Sequence, residues 1–296
     1  MQQGNRVISR RWLVVGSATV DCIVQGTAAV YKSGGVVVYG GLTLVRSGES
    51  VAVCSNLSAR DLDVIEPLER EGVSLHCGES AETTAFVNYV DGDARRQQMT
   101  NAAAPIQPHA LGAASAQVQW VLLGPLHPRD ISAPALSFLA EETTTTICVD
   151  MQGFTRGVAN GWVKPGIAPQ MRVVLAVAHI VKVAHEELGL LLAWAGCNLM
   201  ELMRMYSVNE VVVTNGSRGG FIQTVAGHEV RFPAKEVQNV VDPTGAGDVF
   251  FATYLLERLR RESTVELAAE RAAAQAAAQV AGHFIRTDEL ELIRPH

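Results

Sequence analysis

The 296-residue chain contains no Gly-x-x-x-x-Gly-Lys-Ser/Thr loop, which excludes a P-loop nucleotide site. It also lacks a Cys-x-x-Cys pair. Its five cysteines, Cys22, Cys54, Cys77, Cys148 and Cys197, are odd in number and scattered, so neither a zinc site nor a disulfide framework is indicated. A reducing cytoplasm is the expected compartment. His109, His179 and His185 lack partner spacing for a metal. There is no block of basic residues. The formal net charge of −6 argues against non-specific binding to nucleic acid or to an anionic membrane. No apolar run is long enough to span a bilayer, since the one over residues 188–200 contains Gly and Asn. No cleavable apolar region follows the polar, basic first eleven residues. There is no internal repeat and no linker.

What is present suits a globular interior. Hydrophobic residues make up 48% of the chain and charged residues 18%, so the chain can bury a sizeable core. Short apolar, β-branched runs at 51–54, 118–123, 145–149, 179–183 and 211–214 read as buried strands. Helical patterns at 60–71, 134–142, 186–206 and 249–261 lie between or after them. The Ala-rich run over 265–283 reads as a close-packed helix, because Ala has the best helix propensity. Continuous apolar strands separated by helices predict a parallel sheet covered on both faces. Ligands of such folds bind beyond the carboxyl ends of the strands, where Asp150, Glu187, Gly216 and Asp248 would line one crevice. Residues 20–39 and 83–99 differ in having the period-2 character of strands, and Asp91-Gly92 supplies a hairpin turn between two of them.

The most informative stretch is residues 240–259. Val240 and Val241 read as the close of a buried strand, Pro243 and Gly245 as a break, and the residues from Val249 onward as an amphipathic helix. The amides of Gly245, Ala246, Gly247 and Asp248 would then stand at a helix N-terminus without intrahelical partners. Such a terminus attracts anions, and glycines let a phosphate approach the backbone. An Asp at an anion site reads as a base awaiting a substrate hydroxyl. The simpler alternative is a strand-to-helix turn with an ordinary N-terminal Asp.

Asp242-Pro243-Thr244-Gly245-Ala246-Gly247-Asp248 resembles the second signature of the ribokinase-like (PfkB) carbohydrate kinases. The N-terminal part is similar to the same family. Gly16-Ser17 and a downstream Asp21 follow an apolar strand, and Gly34-Gly35 precede a helix that closes in Arg46-Ser47-Gly48. The resemblance implies a ribokinase-like α/β fold, a three-layer α/β/α arrangement with a central, mostly parallel sheet. It implies one domain over 1–296, with a small β-sheet lid from strands at roughly 17–39 and 83–100. It implies that Asp248 is the catalytic base and that Gly245, Ala246 and Gly247 form the anion hole. Asp21, Gly34 and Gly35 would hold the acceptor, beside Tyr39, which replaces a family Asn. Thr214, Gly216 and Gly219 would face the nucleotide, with Lys182 on the preceding strand. Glu187 would organise Mg²⁺ through water, and Asp242 would ligate a monovalent cation such as K⁺. The departures at Tyr39 and Ala184, and Gly124-Pro125-Leu126 where a Glu is common, point to a less polar acceptor pocket. Thr253 departs at a packing position.

The expected activity is therefore ATP-dependent phosphorylation of a hydroxymethyl group on a sugar, inositol or nucleoside, with Mg²⁺. A homodimer through the exposed lid face is left open. Two other readings stand beside it. One is a catalytically idle member that binds a sugar or nucleotide. The other is a dinucleotide-dependent oxidoreductase, which the missing third glycine of the fingerprint disfavours. His127-Pro128-Arg129-Asp130 reads as a loop, not a protein-kinase catalytic loop, since Pro interrupts it and no companion motif exists. Arg156 stands open between a ligand contact and a surface ion pair.

Overall fold

A computed structural model describes residues 11–91, 94–115, 117–141 and 145–294. The chain begins with β1 (Arg11–Gly16), β2 (Thr19–Gln25), β3 (Ala28–Gly34) and helix α1 (Val36–Arg46). There follow β4 (Ser50–Leu57), α2 (Glu66–Arg70), β5 (Ser74–Glu79), β6 (Ala85–Asp91), β7 (Ala94–Asn101), α3 (Pro108–Ala114) and β8 (Val118–Gly124). The middle of the chain forms α4 (Ala133–Glu141), β9 (Thr146–Asp150), β10 (Arg156–Ala159), β11 (Trp162–Pro165), α5 (Met171–Val177), β12 (Ile180–Ala184), α6 (His185–Ala195) and α7 (Leu199–Tyr206). The remainder forms β13 (Glu210–Thr214), β14 (Gly220–Thr224), β15 (Glu229–Phe232), α8 (Ala246–Leu255), α9 (Val265–Val280), α10 (Thr287–Leu290) and β16 (Glu291–Leu292).

Nine strands make the main sheet in the order β15-β14-β13-β12-β9-β8-β1-β4-β5. All its pairings are parallel except the two that add β14 and β15. Strand β1 explains the layering. Trp12 and Val14 enter one core with α1, α8 and α9, while Leu13 and Val15 enter a second core with α3 to α7. Alternate side chains of a strand point to opposite faces, so an unbroken apolar run is what a doubly covered sheet requires. The expected three-layer α/β architecture is the one found.

Several local expectations are corrected. The helix read over 186–206 is two helices, broken at Gly196 in the left-handed region (φ 69°) and restarted by Asn198, whose side chain accepts the Glu201 N–H at 3.0 Å. Helix α8 is not amphipathic, since every residue from Val249 to Leu255 is buried between α1 and α9. Its charged continuation, Leu256–Arg260, is a π-turn. Val240 and Val241 are exposed and form no strand, because β15 ends the sheet at Phe232 and leaves the following segment without a ladder partner. The strand-like reading of residues 20–39 holds only to Gly34, after which Tyr39 lies within α1.

The lid is also larger than expected. It is a seven-stranded sheet in the order β10-β11-β7-β6-β2-β3-β16. The hairpin β10-β11 joins through Trp162 opposite Gln98, and the late strand β16 pairs with β3. Asp91 pairs with Ala94 across the expected hairpin, while its turn residue Gly92 lies outside the described residues. Among the described residues no helix is long and apolar enough to cross a membrane.

Candidate active site

The site is built where α8 begins. Gly245 caps the helix in the left-handed region (φ 76°), Ala246 and Gly247 are its first residues, and Asp248 is its third. Val249 N–H donates to Gly245 O at 2.9 Å and starts the helical ladder. Two amides expected to be unpaired are used within the turn. Ala246 N–H donates to Pro243 O at 3.3 Å, and Asp248 N–H donates to Gly245 O at 3.0 Å. These short bonds tighten the turn, and the backbone bonds there do not use the Gly245 and Gly247 amides.

Beneath the turn lies a buried ion pair. Lys182 and Asp150 are direct register partners on β12 and β9, so their side chains share a face, and Lys182 Nζ is 2.5 Å from Asp150 Oδ2. The same ammonium lies against Gly247, where an added Cβ would be 3.3 Å from Nζ. Burial works against the charge on Lys182, but Asp150, Asp248 and Glu187 outweigh it and raise its pKa. The pKa of Asp248 is also raised, away from the ordinary carboxyl range. Burial raises its pKa to about 7, Lys182 and Arg156 pull it down, and Asp150 and Asp21 push it up. Five charged groups from β2, β9, β10, β12 and α8 therefore converge on one point at the carboxyl ends of the main-sheet strands.

The other expected residues fall around this centre. Asp21 is buried on β2 and accepts from Thr19 Oγ1 at 3.0 Å. Gly34 packs against it, since a Cβ there would meet Asp21 Oδ2 at 2.3 Å, and a Cβ on Gly35 would meet Ser17 O at 2.2 Å. The di-glycine is thus a close-approach element that seats β3 on β2. Register places Asp21 and Lys32 opposite each other, and likewise Asn88 and Gln97. Gln97 Nε2 donates to Asn88 Oδ1 at 2.9 Å, and Arg156 Nη1 donates to Gln97 Oε1 at 3.1 Å. This polar row runs across the lid from β3 to β10. Tyr39, expected beside the acceptor, is 1% exposed, and its ring lies against Gly245.

Thr214 ends β13, the strand next to β12, and Gly216 opens the short helix after it (φ 54°), with open space where a Cβ would stand. Gly219 has a packing reason of its own, because a Cβ there would meet Phe232 O at 2.2 Å. Glu187 accepts the Ala184 N–H at 2.9 Å and caps α6, while its charge also acts on Lys182. Among the described residues no cluster of three or more His, Cys, Asp or Glu could hold a metal ion. Asp242 is met by Lys32, with Nζ 2.8 Å from Oδ2, and its Oδ1 accepts the Thr244 N–H at 2.9 Å. The stretch 127–130 is a loop with His127 and Asp130 buried and Arg129 exposed, in which Asp130 accepts from Ser17 Oγ and from the Leu126 N–H, the latter at 2.7 Å.

Sequence reading missed two features. One is Lys32, which carried no motif. The other is a cavity of about 550 Å³ beneath the β10-β11 hairpin, lined by Arg96, Arg156, Trp162, Lys164, Glu186 and Glu187. The Arg96 guanidinium sits 4.3 Å over the Trp162 ring. The sequence signal was faint: basic and aromatic residues in short, irregularly patterned strands.

Comparison with known proteins agrees with this fold. A pyrophosphate-dependent kinase of the ribokinase family, solved with a pyrophosphate analog and myo-inositol, has a TM-score of 0.75 at 20% identity, covering 94% of this chain and 98% of that one. The nucleoside kinase of Burkholderia thailandensis with inosine gives 0.75 at 18% identity, covering 94% and 95%. Fructokinase from Xylella fastidiosa with bound ATP gives 0.77 at 19% identity, covering 92% of each chain. No curated protein sequence matches the chain. The family model of the pfkB carbohydrate kinases matches residues 13–288, a span that holds every lid strand but β16, both glycine elements and Asp248, and the chain belongs to that family.

Proposed function

We propose that the protein transfers a phosphoryl group from ATP to a hydroxymethyl group of a sugar, inositol or nucleoside. The observation that carries this reading is the placement of Asp248 in the first turn of α8. There it adjoins the Gly245-Gly247 turn and lies in the field of Asp21, Asp150, Arg156 and Lys182. A carboxyl raised to about 7 is poised to take a proton near neutral pH. It accepts the proton of the attacking hydroxyl. Lys182 and the turn amides stabilise charge on the transferring group, in a site where burial strengthens each interaction. Asp21 and the Asn88-Gln97 row orient a hydroxyl-rich acceptor beneath the lid.

Mg²⁺ commonly binds through phosphate oxygens, water and one or two carboxylates, and Glu187, whose charge acts on Lys182, would contribute one of them. When bound, the ion neutralises donor phosphate charge.

A second reading of the donor has its own support. Arg96, Arg156 and Lys164 line the lid-hairpin cavity together with Glu186 and Glu187, three cationic side chains against two carboxylates. That arrangement favours a short polyphosphate, and a structurally similar kinase is pyrophosphate-dependent. The test is direct detection of phosphorylated product with Mg²⁺, comparing ATP and pyrophosphate against a panel of sugars, inositols and nucleosides. Turnover that vanishes in Asp248→Asn supports the kinase reading and names donor and acceptor. No turnover, with thermal stabilisation by a sugar or nucleotide, would support the idle binding protein instead.

A further inference from the structure

The ion pair Lys32–Asp242 joins residues 210 positions apart and ties the lid to the catalytic turn. Lys32 stands on β3, opposite Asp21 on β2 and two residues before Gly34. Its ammonium is 2.8 Å from Asp242 Oδ2, and both residues are buried, 7% and 9% exposed. The second oxygen, Oδ1, accepts the Thr244 N–H at 2.9 Å. The Asp242 and Val241 amides donate to Val280 O at the end of α9, at 3.2 and 2.9 Å. Burial alone would raise the Asp242 carboxyl, but the bonds from Lys32 and Thr244 hold it below its usual range. Asp242 is thus an ionised carboxylate with one oxygen on an ammonium and the other on an amide.

A monovalent cation expected at this carboxylate does not fit these residues. It would compete with Lys32 for the same oxygen and stand beside a like charge with little water to screen it. We propose that Lys32 is a positioning residue whose fixed ammonium replaces a monovalent cation at Asp242. The ammonium holds the Asp242-Thr244 segment, and that segment sets the entry into Gly245 and the base-bearing turn. Because Lys32 rides on the strand that Asp21 pairs with, the turn takes its final geometry only when the lid is seated.

The rate measurements rest on the kinase reading, whereas a melting experiment does not. Turnover of the wild type is compared in K⁺, Na⁺ and tetramethylammonium salts at equal ionic strength, by direct product detection. Rates within about twofold across the three salts are expected. Lys32→Ala is expected to lose about tenfold or more in kcat, with a smaller change in acceptor KM. It should regain several-fold in NH4⁺ or K⁺ but not in tetramethylammonium. In parallel, NH4⁺ and K⁺ should raise the melting temperature of Lys32→Ala and leave that of the wild type unchanged. This result stands even if no acceptor turns over. Strong K⁺ activation of the wild type would overturn the proposal, and that experiment needs no variant to fold. Normal turnover of Lys32→Ala would also overturn it. So would loss without rescue by any small cation, which would reduce Lys32 to a strut.

Discussion

The ring of Tyr39 lies directly against the backbone of Gly245: a Cβ on Gly245 would come within 2.2 Å of Tyr39 Cδ1. Helix α1 thereby forms the floor of the turn at the start of α8, and Gly245 is required for space as well as for its φ of 76°. Gly245→Ala combines a left-handed backbone cost of ~1–2 kcal/mol with overpacking of ~1–3 kcal/mol. Urea unfolding should show a loss of about 2–5 kcal/mol, with impaired turnover in the fraction that folds. Pairing it with Tyr39→Leu should recover the steric share and leave the backbone share. Unchanged stability of the single variant would mean that the ring and the turn are not in contact.

Asp248→Asn should lower turnover by about 10² or more while leaving the fold intact. Its stability has a definite sign. A carboxyl whose folded pKa is raised favours the protonated native state, a contribution present at low pH and lost as pH rises through about 7. At pH 8 the ionised Asp248 therefore costs stability, and the neutral Asn should melt at the same temperature or higher. Near-normal turnover in this variant would remove Asp248 as the base.

The pH profile follows from the same group. The base must be ionised to accept a proton, so kcat/KM should rise with pH and level off above a midpoint near 7. Lys182 is the largest influence holding that pKa down, so Lys182→Met should move the midpoint to higher pH. The same change leaves Asp150 buried without its ammonium, which costs about 3–5 kcal/mol. A pH profile that does not move in a folded Lys182→Met protein would separate Lys182 from the base.

The second reading of the donor is tested at the lid hairpin. Arg156→Ala and Arg96→Ala remove charges from the cavity that also holds Glu187. Losing one charge-assisted bond to phosphate, worth ~1.5–3 kcal/mol, should raise donor KM by about tenfold to a hundredfold. Acceptor KM should move much less. If both variants bind donor normally, the donor phosphates lie elsewhere, and the pyrophosphate reading loses its support.

Some of what the sequence left undetermined was nonetheless legible in it. Asn198 and Glu201 form a capping box, and Gly196 precedes it, so the break between α6 and α7 was written in local residues. The exposed pair Val240 and Val241 was not legible in that way. β-branched residues favour a strand only when a neighbouring strand is there to pair with them, and β15 already closes the edge.

Local order decided the rest of the fold that could be foreseen. Unbroken apolar strands required a sheet covered on both faces, and the glycine turn before Asp248 placed a carboxylate in the first turn of a helix. Both follow from interactions within a few residues and from the period of a strand. The charge of Asp248, the partner of Asp242, the place of Tyr39 and the size of the lid were decided only by tertiary structure. Each depends on groups brought together from distant parts of the chain: Asp21, Asp150, Arg156 and Lys182 around one carboxyl, Lys32 beside Asp242, a ring beneath a glycine, and a hairpin added to a lid edge. Burial strengthens every one of these contacts, and burial is a property of the packed chain, absent from any single stretch of it.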